Sequence, residues 1–318
     1  MIQKLKPACK DYLWGGTRLK EQYGKDCDMN PLAETWELSA HPDGESIIAG
    51  GVYDGLTFSQ YIEQCGKEIL GKNAAAFEKF PVLIKFIDAK NPLSIQVHPS
   101  DEFALDIEGE YGKTEMWYVM DCEEDSFLYF GVNQEISKED FCRRINNNTV
   151  TEVLNKVPVK KGDVFFIESG TIHAIGAGIL ICEIQQNSNT TYRVYDYARK
   201  DAQGNLRELH IEKALAVSNL SPVKANKWND DIHKTGDAEH KLLASCKYFT
   251  TEHFVCKGKT EFVSDESTFI SVVVLDGNGI LKDKDTEISF QKGDSLFIPA
   301  NAGKIILEGN CEWIQTTI

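Results

Sequence analysis

The sequence predicts a mainly β protein in which antiparallel strands close into two barrels, with a few short helices. Short runs rich in β-branched and aromatic residues alternate with glycine-containing turns along most of the 318 residues. Strands and helices do not alternate strictly, as they would in a Rossmann sheet. A seven-residue motif at 161–167 recurs at 292–298. Two jelly-roll barrels of the cupin kind agree best with these observations, and the length suits two domains.

The residue pattern of the first third of the chain predicts mixed short elements first, then helices, then strands. Residues 34–46, ETWELSAHPDGES, predict a strand and a turn. Residues 57–80 carry helical spacing interrupted by glycines, which predicts two short helices. Apolar β-rich runs follow at 81–99, 115–122 and 125–132.

A further helix is predicted from Ser137 to Asn155, because Ser137 can cap it and Asp140, three residues on, gives an acidic variant of the capping box. From Val157 onward strands dominate again. Residues 208–217 are predicted to be helical, and the polar run 226–240 is interpreted as a linker.

The repeated motif suggests how the domains are divided. Lys161–Ile167 reads KGDVFFI and Lys292–Ile298 reads KGDSLFI, so the C-terminal segment is expected to be a second copy of the barrel. We predict a cupin domain with helical segments and a metal site at 1–231, and a cupin-like domain at 232–318. At the same shift His173 falls on Lys304, and no Gln-x-His precedes the second copy, so that barrel is expected to lack a metal.

Composition excludes several classes of protein. A formal net charge of −15 argues against a general nucleic-acid binder but not against a phosphorylated small molecule, since local Lys and Arg can bind it. Nine scattered cysteines without a Cys-x-x-Cys pair indicate a reducing compartment rather than a disulfide framework. No signal-like or membrane-spanning apolar run is found, so we expect a cytoplasmic protein with no membrane partner.

Four side chains could bind a metal ion: Gln96 and His98 in SIQVHP, Glu115 in GKTEMWYV, and His173 in SGTIHAIG. On a strand, Gln96 and His98 would point the same way. Two imidazoles, a carboxylate and an amide oxygen could hold Zn²⁺ with a position open for substrate. Taken alone, a histidine at a strand end is more often structural, and Glu115 could be an exposed charge. The interpretation therefore depends on the set.

These segments, together with DYLWGG at 11–16 and AETWELSAHP at 33–42, resemble the type I mannose-6-phosphate isomerases of the short bacterial form. The resemblance follows the family's order along nearly the whole chain. It implies paired cupin barrels, one Zn²⁺ per chain in the first barrel, and interconversion of mannose 6-phosphate and fructose 6-phosphate. It also implies that Gln96, His98, Glu115 and His173 are the zinc ligands, and that Arg193 in TTYRVYDYAR is catalytic.

The chemistry of this isomerisation gives roles to two cationic residues. A proton moves between adjacent carbons through a cis-enediol, so charge develops on two substrate oxygens. Arg193 could stabilise that charge but is a poor base, because its guanidinium stays protonated. Its alternative role is a rim arginine paired with Asp196. Lys113, two residues before Glu115, could bind phosphate or transfer a proton, unless it is a solvated strand lysine.

Three further residues are candidates for substrate binding. Trp117 shares the face of Glu115 by strand alternation and could form a wall of a sugar pocket, as could Trp14, which is equally well explained as a core residue. Ser100 follows His98 and Pro99 and could contact substrate or cap a turn.

Two other functions remain open from the residues. Two histidines and a carboxylate also suit an Fe²⁺ cupin oxygenase, and a cupin that binds sugar without turnover is a non-enzymatic alternative. The expected partner is a small-molecule sugar phosphate, with no nucleic acid, and the chain is expected to be a monomer or a homodimer.

Overall fold

The computed structural model describes residues 1–200, 204–223 and 231–318. The chain divides into two compact units. The first comprises Met1–Asp11, Thr17–Phe86 and Lys227–Ile318, and the second comprises Tyr12–Gly16 and Ile87–Asn226. This division places residues 17–86 with the C-terminal strands, whereas our sequence boundary near residue 232 separates them. The functional domains 1–231 and 232–318 stay a prediction.

Strands dominate the described residues and helices are short. The helices are α1 (Arg18–Glu21), α2 (Phe58–Cys65), α3 (Asp101–Ile107), α4 (Lys138–Asn146) and α5 (Ile211–Val217). The strands of the first half are β1 (Gln3–Lys6), β2 (Ala8–Lys10), β3 (Glu34–Leu38), β4 (Ile47–Ala49), β5 (Val82–Ala89), β6 (Ile95–Val97), β7 (Glu115–Cys122), β8 (Phe127–Val132) and β9 (Leu154–Pro158). Those of the second half are β10 (Val164–Ile167), β11 (His173–Ile175), β12 (Ile179–Gln186), β13 (Tyr192–Tyr195), β14 (His233–Thr235), β15 (Ala238–Ser245), β16 (Thr250–Ser264), β17 (Ile270–Lys282), β18 (Glu287–Gln291), β19 (Ser295–Ile298) and β20 (Gly303–Thr317).

The second unit carries two antiparallel layers. One has the strand order β10-β7-β12, and the other has the order β13-β6-β11-β8-β9. Apolar side chains from the second layer pack with those of α4 and α5, including Val97, Phe141 and Ala214, all of which are buried. These contacts remove the apolar faces of short strands from water, which is the main stabilising contribution to such a layer.

The first unit is built around a nine-stranded sheet with the order β14-β15-β16-β20-β17-β19-β1-β4, in which β18 pairs with β17. Its core includes Phe254, Leu307 and Trp313. The repeated motif gives the same local structure in each unit: a glycine with φ near 90°, at Gly162 and Gly293, followed by β10 or β19. The predicted mainly β fold with two cupin jelly-roll barrels is confirmed.

The helices are shorter than predicted. Over residues 57–80 one α-helix, α2, forms, with a capping box between Thr57 and Gln60. Two 3-10 turns follow it, because Gly66 and Gly71 have φ of 89° and 86° and interrupt a continuous helix.

The helix predicted to end at Asn155 ends at Asn146. The Ser137 side chain accepts a hydrogen bond from the backbone N–H of Asp140 at 3.1 Å, as predicted. The Asp140 carboxylate pairs with Arg143 and Arg144 instead of completing the box.

The linker interpretation of residues 226–240 is wrong for its described part. Residues 226–230 lie outside the described residues. Beyond them β14 and β15 form an antiparallel hairpin in which His233 is paired with His240 and Thr235 with Ala238. Polar composition misled the prediction because both faces of β14 are exposed.

Among the described residues, no helix has the length and apolar character needed to cross a bilayer.

Candidate metal centre

Three neighbouring strands of the second unit align side chains in one row. His173 on β11 is directly opposite Gln96 on β6, and Gln96 is opposite Arg193 on β13. Directly opposed residues of antiparallel strands point to the same face, so His173, Gln96 and Arg193 share one face of this layer. His98 follows the last residue of β6, and Glu115 is the first residue of β7 in the other layer.

The side chains of His98, Glu115 and His173 converge and are buried. The Nε2 atom of His98 lies 3.8 Å from Oε2 of Glu115, and Nε2 of His173 lies 3.3 Å from Oε1 of the same carboxylate. The amide nitrogen Nε2 of Gln96 lies 3.4 Å from the ring nitrogen Nε2 of His173. A half-turn of that amide would present its oxygen.

Backbone carbonyls set the tautomer of both imidazoles. The Nδ1–H of His98 donates to the carbonyl oxygen of Thr190 at 2.9 Å, and the Nδ1–H of His173 donates to that of Thr171 at 2.8 Å. A carbonyl oxygen only accepts, so each Nδ1 carries the proton and each neutral ring keeps a lone pair on Nε2. Metal-binding histidines have this arrangement, and the residues therefore fit a metal ion.

The electrostatic environment keeps His173 neutral. Burial lowers the pKa of His173 to about 4, and the positive charge of Lys113 acts in the same direction. A histidine must be neutral to bind a metal, and His173 meets that condition at pH 7.

The ammonium of Lys113 lies among the same atoms. Its Nζ is 2.6 Å from Oε2 of Glu115, 3.2 Å from Nε2 of His98 and 3.6 Å from Oε1 of Glu183. Lys113 precedes β7 instead of lying within it and is 4% exposed, which rules out the alternative of a solvated strand lysine.

Sequence reasoning missed Glu183. This carboxylate lies on β12 opposite Trp117, is buried, and accepts a hydrogen bond from Nε1 of Trp117 at 2.8 Å. The Trp117 ring meets the His173 ring edge-on, with centroids 5.3 Å apart. A signal existed, since Glu183 is the single charged residue in the apolar run ILICEI.

The predicted substrate-binding residues have different surroundings. Trp117 is fully buried against His173 and Glu183, and Trp14 is 6% exposed and stacked on Tyr12. Ser100 is exposed at the N-cap of α3, where its hydroxyl makes no capping hydrogen bond. Within the described residues no hydrogen bond, ion pair or ring contact joins Trp14 or Ser100 to His98, Glu115 or His173.

Arg193 does not form the predicted alternative pair with Asp196. Its Nη1 donates to the carbonyl oxygen of Glu208 at 2.9 Å, while Asp196 pairs with Arg199 and Arg207. The Nε of Arg193 is buried without a hydrogen-bond partner among the described residues. Burial, followed by the charge of Arg207, lowers the pKa of Arg193.

His210, to which sequence reasoning gave no function, supports Arg193. The backbone N–H of Arg193 donates to Nδ1 of His210 at 3.0 Å, and the backbone N–H of His210 donates to the carbonyl of Arg193 at 2.8 Å. A contact of this kind between a strand and a helix cap leaves no short-range pattern in the sequence.

Comparisons with known proteins agree on one family. Residues 2–124 match the model of the phosphomannose isomerase type I catalytic domain, and residues 238–318 match that of the mannose-6-phosphate isomerase cupin domain. Mannose-6-phosphate isomerase ManA of Bacillus subtilis (strain 168) is 38% identical over 312 residues, which are 97% of this chain and 96% of that protein.

Solved structures show the same likeness. The crystal structure of the mannose 6-phosphate isomerase from Bacillus subtilis is 34% identical with a TM-score of 0.92, covering 100% of this chain and 99% of that one. A mannose 6-phosphate isomerase bound with zinc and yttrium is 20% identical and shares the fold, with a TM-score of 0.77 over 99% of this chain and 98% of that one.

Proposed function

The chain belongs to the type I mannose-6-phosphate isomerase family, and from this premise we propose that it interconverts mannose 6-phosphate and fructose 6-phosphate with one zinc ion, through a cis-enediol. The observation that carries the proposal is the convergence of two Nε2 lone pairs, of His98 and His173, on the buried carboxylate of Glu115. Gln96 would supply the fourth ligand.

Zinc is favoured by the ligand types, and a relative of the same fold is described as bound with zinc. When bound, zinc would supply positive charge beside the two sugar oxygens whose negative charge increases as the proton leaves carbon. The chain's own residues must then orient the sugar and move the proton.

Lys113 is proposed to act on that proton or on the charge of the cis-enediol. Its Nζ is held 2.6 Å from Glu115 and 3.6 Å from Glu183, and all three side chains are buried. This position supports a role at the reacting carbons better than the phosphate-binding role that the sequence also allowed. Glu183, bonded to Trp117, would position the ammonium.

Arg193 is proposed to stabilise negative charge on the substrate, because it shares a face with Gln96 and His173 and its Nε is buried without a described partner. The hydroxyl of Ser100 makes no helix-capping hydrogen bond, so it could donate one to the sugar phosphate. The roles of Trp14 and Trp117 as substrate contacts stay predictions. If the buried Trp117 does not touch the sugar, it would act by orienting the ring of His173, which it contacts.

Single substitutions test the ligand assignment. His98→Ala and His173→Ala should each lose bound zinc and reduce formation of fructose 6-phosphate by at least about 100-fold, because each removes a direct ligand. His253→Ala is the matched control: this histidine pairs with Glu312 in the first unit and should keep both zinc and turnover.

The assay also separates the alternatives. Wild-type turnover by a zinc-free His173→Ala protein would overturn the zinc assignment. Stoichiometric zinc and bound sugar phosphate without product would indicate a binding protein. Oxygen consumption with Fe²⁺ would indicate an oxygenase.

A further inference from the structure

The carboxylate of Glu110 holds three consecutive residues that lie far from it in sequence. Its Oε2 atom accepts from Oγ1 of Thr190 at 3.1 Å, from the backbone N–H of Asn189 at 3.3 Å, and from Oγ of Ser188 at 3.5 Å. Glu110 itself lies between α3 and β7 and is half-buried. One charged side chain thus gathers the donors of the 188–190 segment, and hydrogen bonds to a carboxylate are stronger than neutral ones.

The same segment supplies the carbonyl that orients His98. The carbonyl oxygen of Thr190 accepts the Nδ1–H of His98 at 2.9 Å. Within the segment, the backbone N–H of Thr190 donates to Oγ of Ser188 at 3.2 Å. Glu110 therefore contacts the side chain of the residue whose carbonyl fixes the His98 tautomer.

The ends of the segment are held by other groups. Nε2 of the fully buried Gln185 donates to the carbonyl of Ser188 at 2.7 Å, and β13 begins at Tyr192. These contacts fix where the segment enters and leaves. Between these two ends, the hydrogen bonds from Asn189 and Thr190 to Glu110 hold the part of the segment whose Thr190 carbonyl faces Nδ1 of His98.

We propose that Glu110 is a positioning residue for the metal centre. It holds the 188–190 segment so that the Thr190 carbonyl accepts the hydrogen bond from Nδ1–H of His98. The proton then stays on Nδ1, and the lone pair of Nε2 points towards Glu115. This inference rests on the proposed function for the identity of the metal but not for the orientation of the ring, which can be measured without metal.

The test compares Glu110→Ala with Glu108→Ala. Glu108 is a matched control because its Oε1 also accepts two bonds, from Tyr192 at 2.8 Å and Lys213 at 2.7 Å, without contacting residues 188–190. Zinc affinity is measured by competition with a chelator. In metal-free protein, nitrogen NMR of the imidazoles follows the Nδ1–H of His98, with the Nδ1–H of His173 as internal reference.

Glu110→Ala should weaken zinc binding by up to about 10- to 100-fold, which is the usual effect of losing the outer hydrogen-bond partner of a metal ligand outright, because it releases the segment whose Thr190 carbonyl is that partner. The His98 Nδ1–H signal should broaden or disappear while that of His173 stays. Glu110→Gln, which keeps an acceptor oxygen, should recover most of the affinity. Glu108→Ala should leave zinc affinity and both signals unchanged.

Thr190→Val provides a second variant if Glu110→Ala fails to fold, since it removes one of the three bonds and keeps the carbonyl. It should weaken zinc binding by a smaller factor. Unchanged zinc affinity and an unchanged His98 signal in Glu110→Ala would overturn the proposal, as would an equal loss in Glu108→Ala. If wild-type protein binds no zinc, the proposed function fails, and the His98 signal alone still decides the role of Glu110.

Discussion

At the scale of single residues, Lys113 contacts the same atoms that are proposed to bind zinc. The ammonium is 2.6 Å from Oε2 of Glu115 and 3.2 Å from Nε2 of His98. Two positive charges about 4 Å apart repel by roughly 4 kcal/mol per pair of unit charges at an effective dielectric constant of 20. Lys113 should therefore oppose metal binding, although it is proposed to act in turnover.

Lys113→Met should raise zinc affinity and lower turnover. We expect zinc affinity to rise by about tenfold or more, because a competing cation is removed and about 1.4 kcal/mol of relieved repulsion already gives a tenfold change. We expect turnover to fall about 100-fold or more, because proton transfer or charge stabilisation is lost. Chelator competition and steady-state assay of the zinc-loaded variant measure both. If turnover and substrate affinity both stay at the wild-type level, Lys113 has neither proposed role.

The buried imidazole of His173 predicts a dependence of stability on pH in metal-free protein. Its pKa is about 4 when folded, against 6.5 for the free group. As pH falls, the unfolded chain binds this proton first, so stability present above about pH 6.5 is lost progressively towards pH 4. The loss from this residue amounts to up to about 3 kcal/mol.

Denaturant unfolding of metal-free wild type and His173→Gln between pH 7.5 and 4.5 measures this contribution. The wild-type free energy of unfolding should fall more steeply, because glutamine does not titrate. Parallel curves for the two proteins would show that His173 is not held neutral by burial.

The sequence predicted the proposed metal ligands because each stands in a short motif: Gln96 and His98 in SIQVHP, Glu115 in GKTEMWYV, and His173 in SGTIHAIG. It could not find Glu110, whose partners lie 78 to 80 residues away and are joined to it only by folding. Glu183 could have been found from the sequence, because it is a single charged residue in an apolar strand. Lys113 is buried beside Glu115 and Glu183, and no local pattern encodes this meeting of side chains from the start of β7 and from β12.

At the scale of elements, the three-residue strand β11 places His173. It pairs with β6 on one side and with β8 on the other, where His173 is opposite Phe130. Gly176 ends it, and a Cβ atom at that position would lie 1.9 Å from the carbonyl oxygen of Phe127. No side chain fits there without displacing the neighbouring backbone.

Gly176→Ala should lower the free energy of unfolding by about 1–3 kcal/mol or more through overpacking, and should weaken zinc binding because β11 shifts. Gly162→Ala is the matched control. It has φ of 88° and open space around the added Cβ, so it should cost only about 1 kcal/mol and leave zinc affinity unchanged. Equal effects of the two substitutions on zinc affinity would contradict this account of β11.

Element types were predictable where one residue pattern dominates, as in β7 and α4. Their ends were not, because Asp140 pairs with Arg143 and Arg144 and the helix stops at Asn146. The hairpin of β14 and β15 was missed because strand pairing is decided by the partner strand, and the sequence of β14 alone is as polar as a linker.

At the scale of the whole molecule, two units carry the same turn and strand motif, but the residues that follow the motif differ. Lys304, which replaces His173 in the repeat, forms an ion pair with Glu261 at 2.7 Å. Within the described ranges, the group of His, Cys, Asp or Glu residues able to hold a metal is His98, Glu115 and His173. We therefore expect one zinc ion per chain, and the absence of a metal in the C-terminal barrel stays a prediction.

The most direct test is to titrate zinc into metal-stripped wild-type protein while following the formation of fructose 6-phosphate from mannose 6-phosphate. We expect no turnover without metal, then activity that rises linearly with zinc and reaches its maximum at one equivalent per chain. Full turnover by the stripped protein, or no turnover with one equivalent of zinc bound, would contradict it.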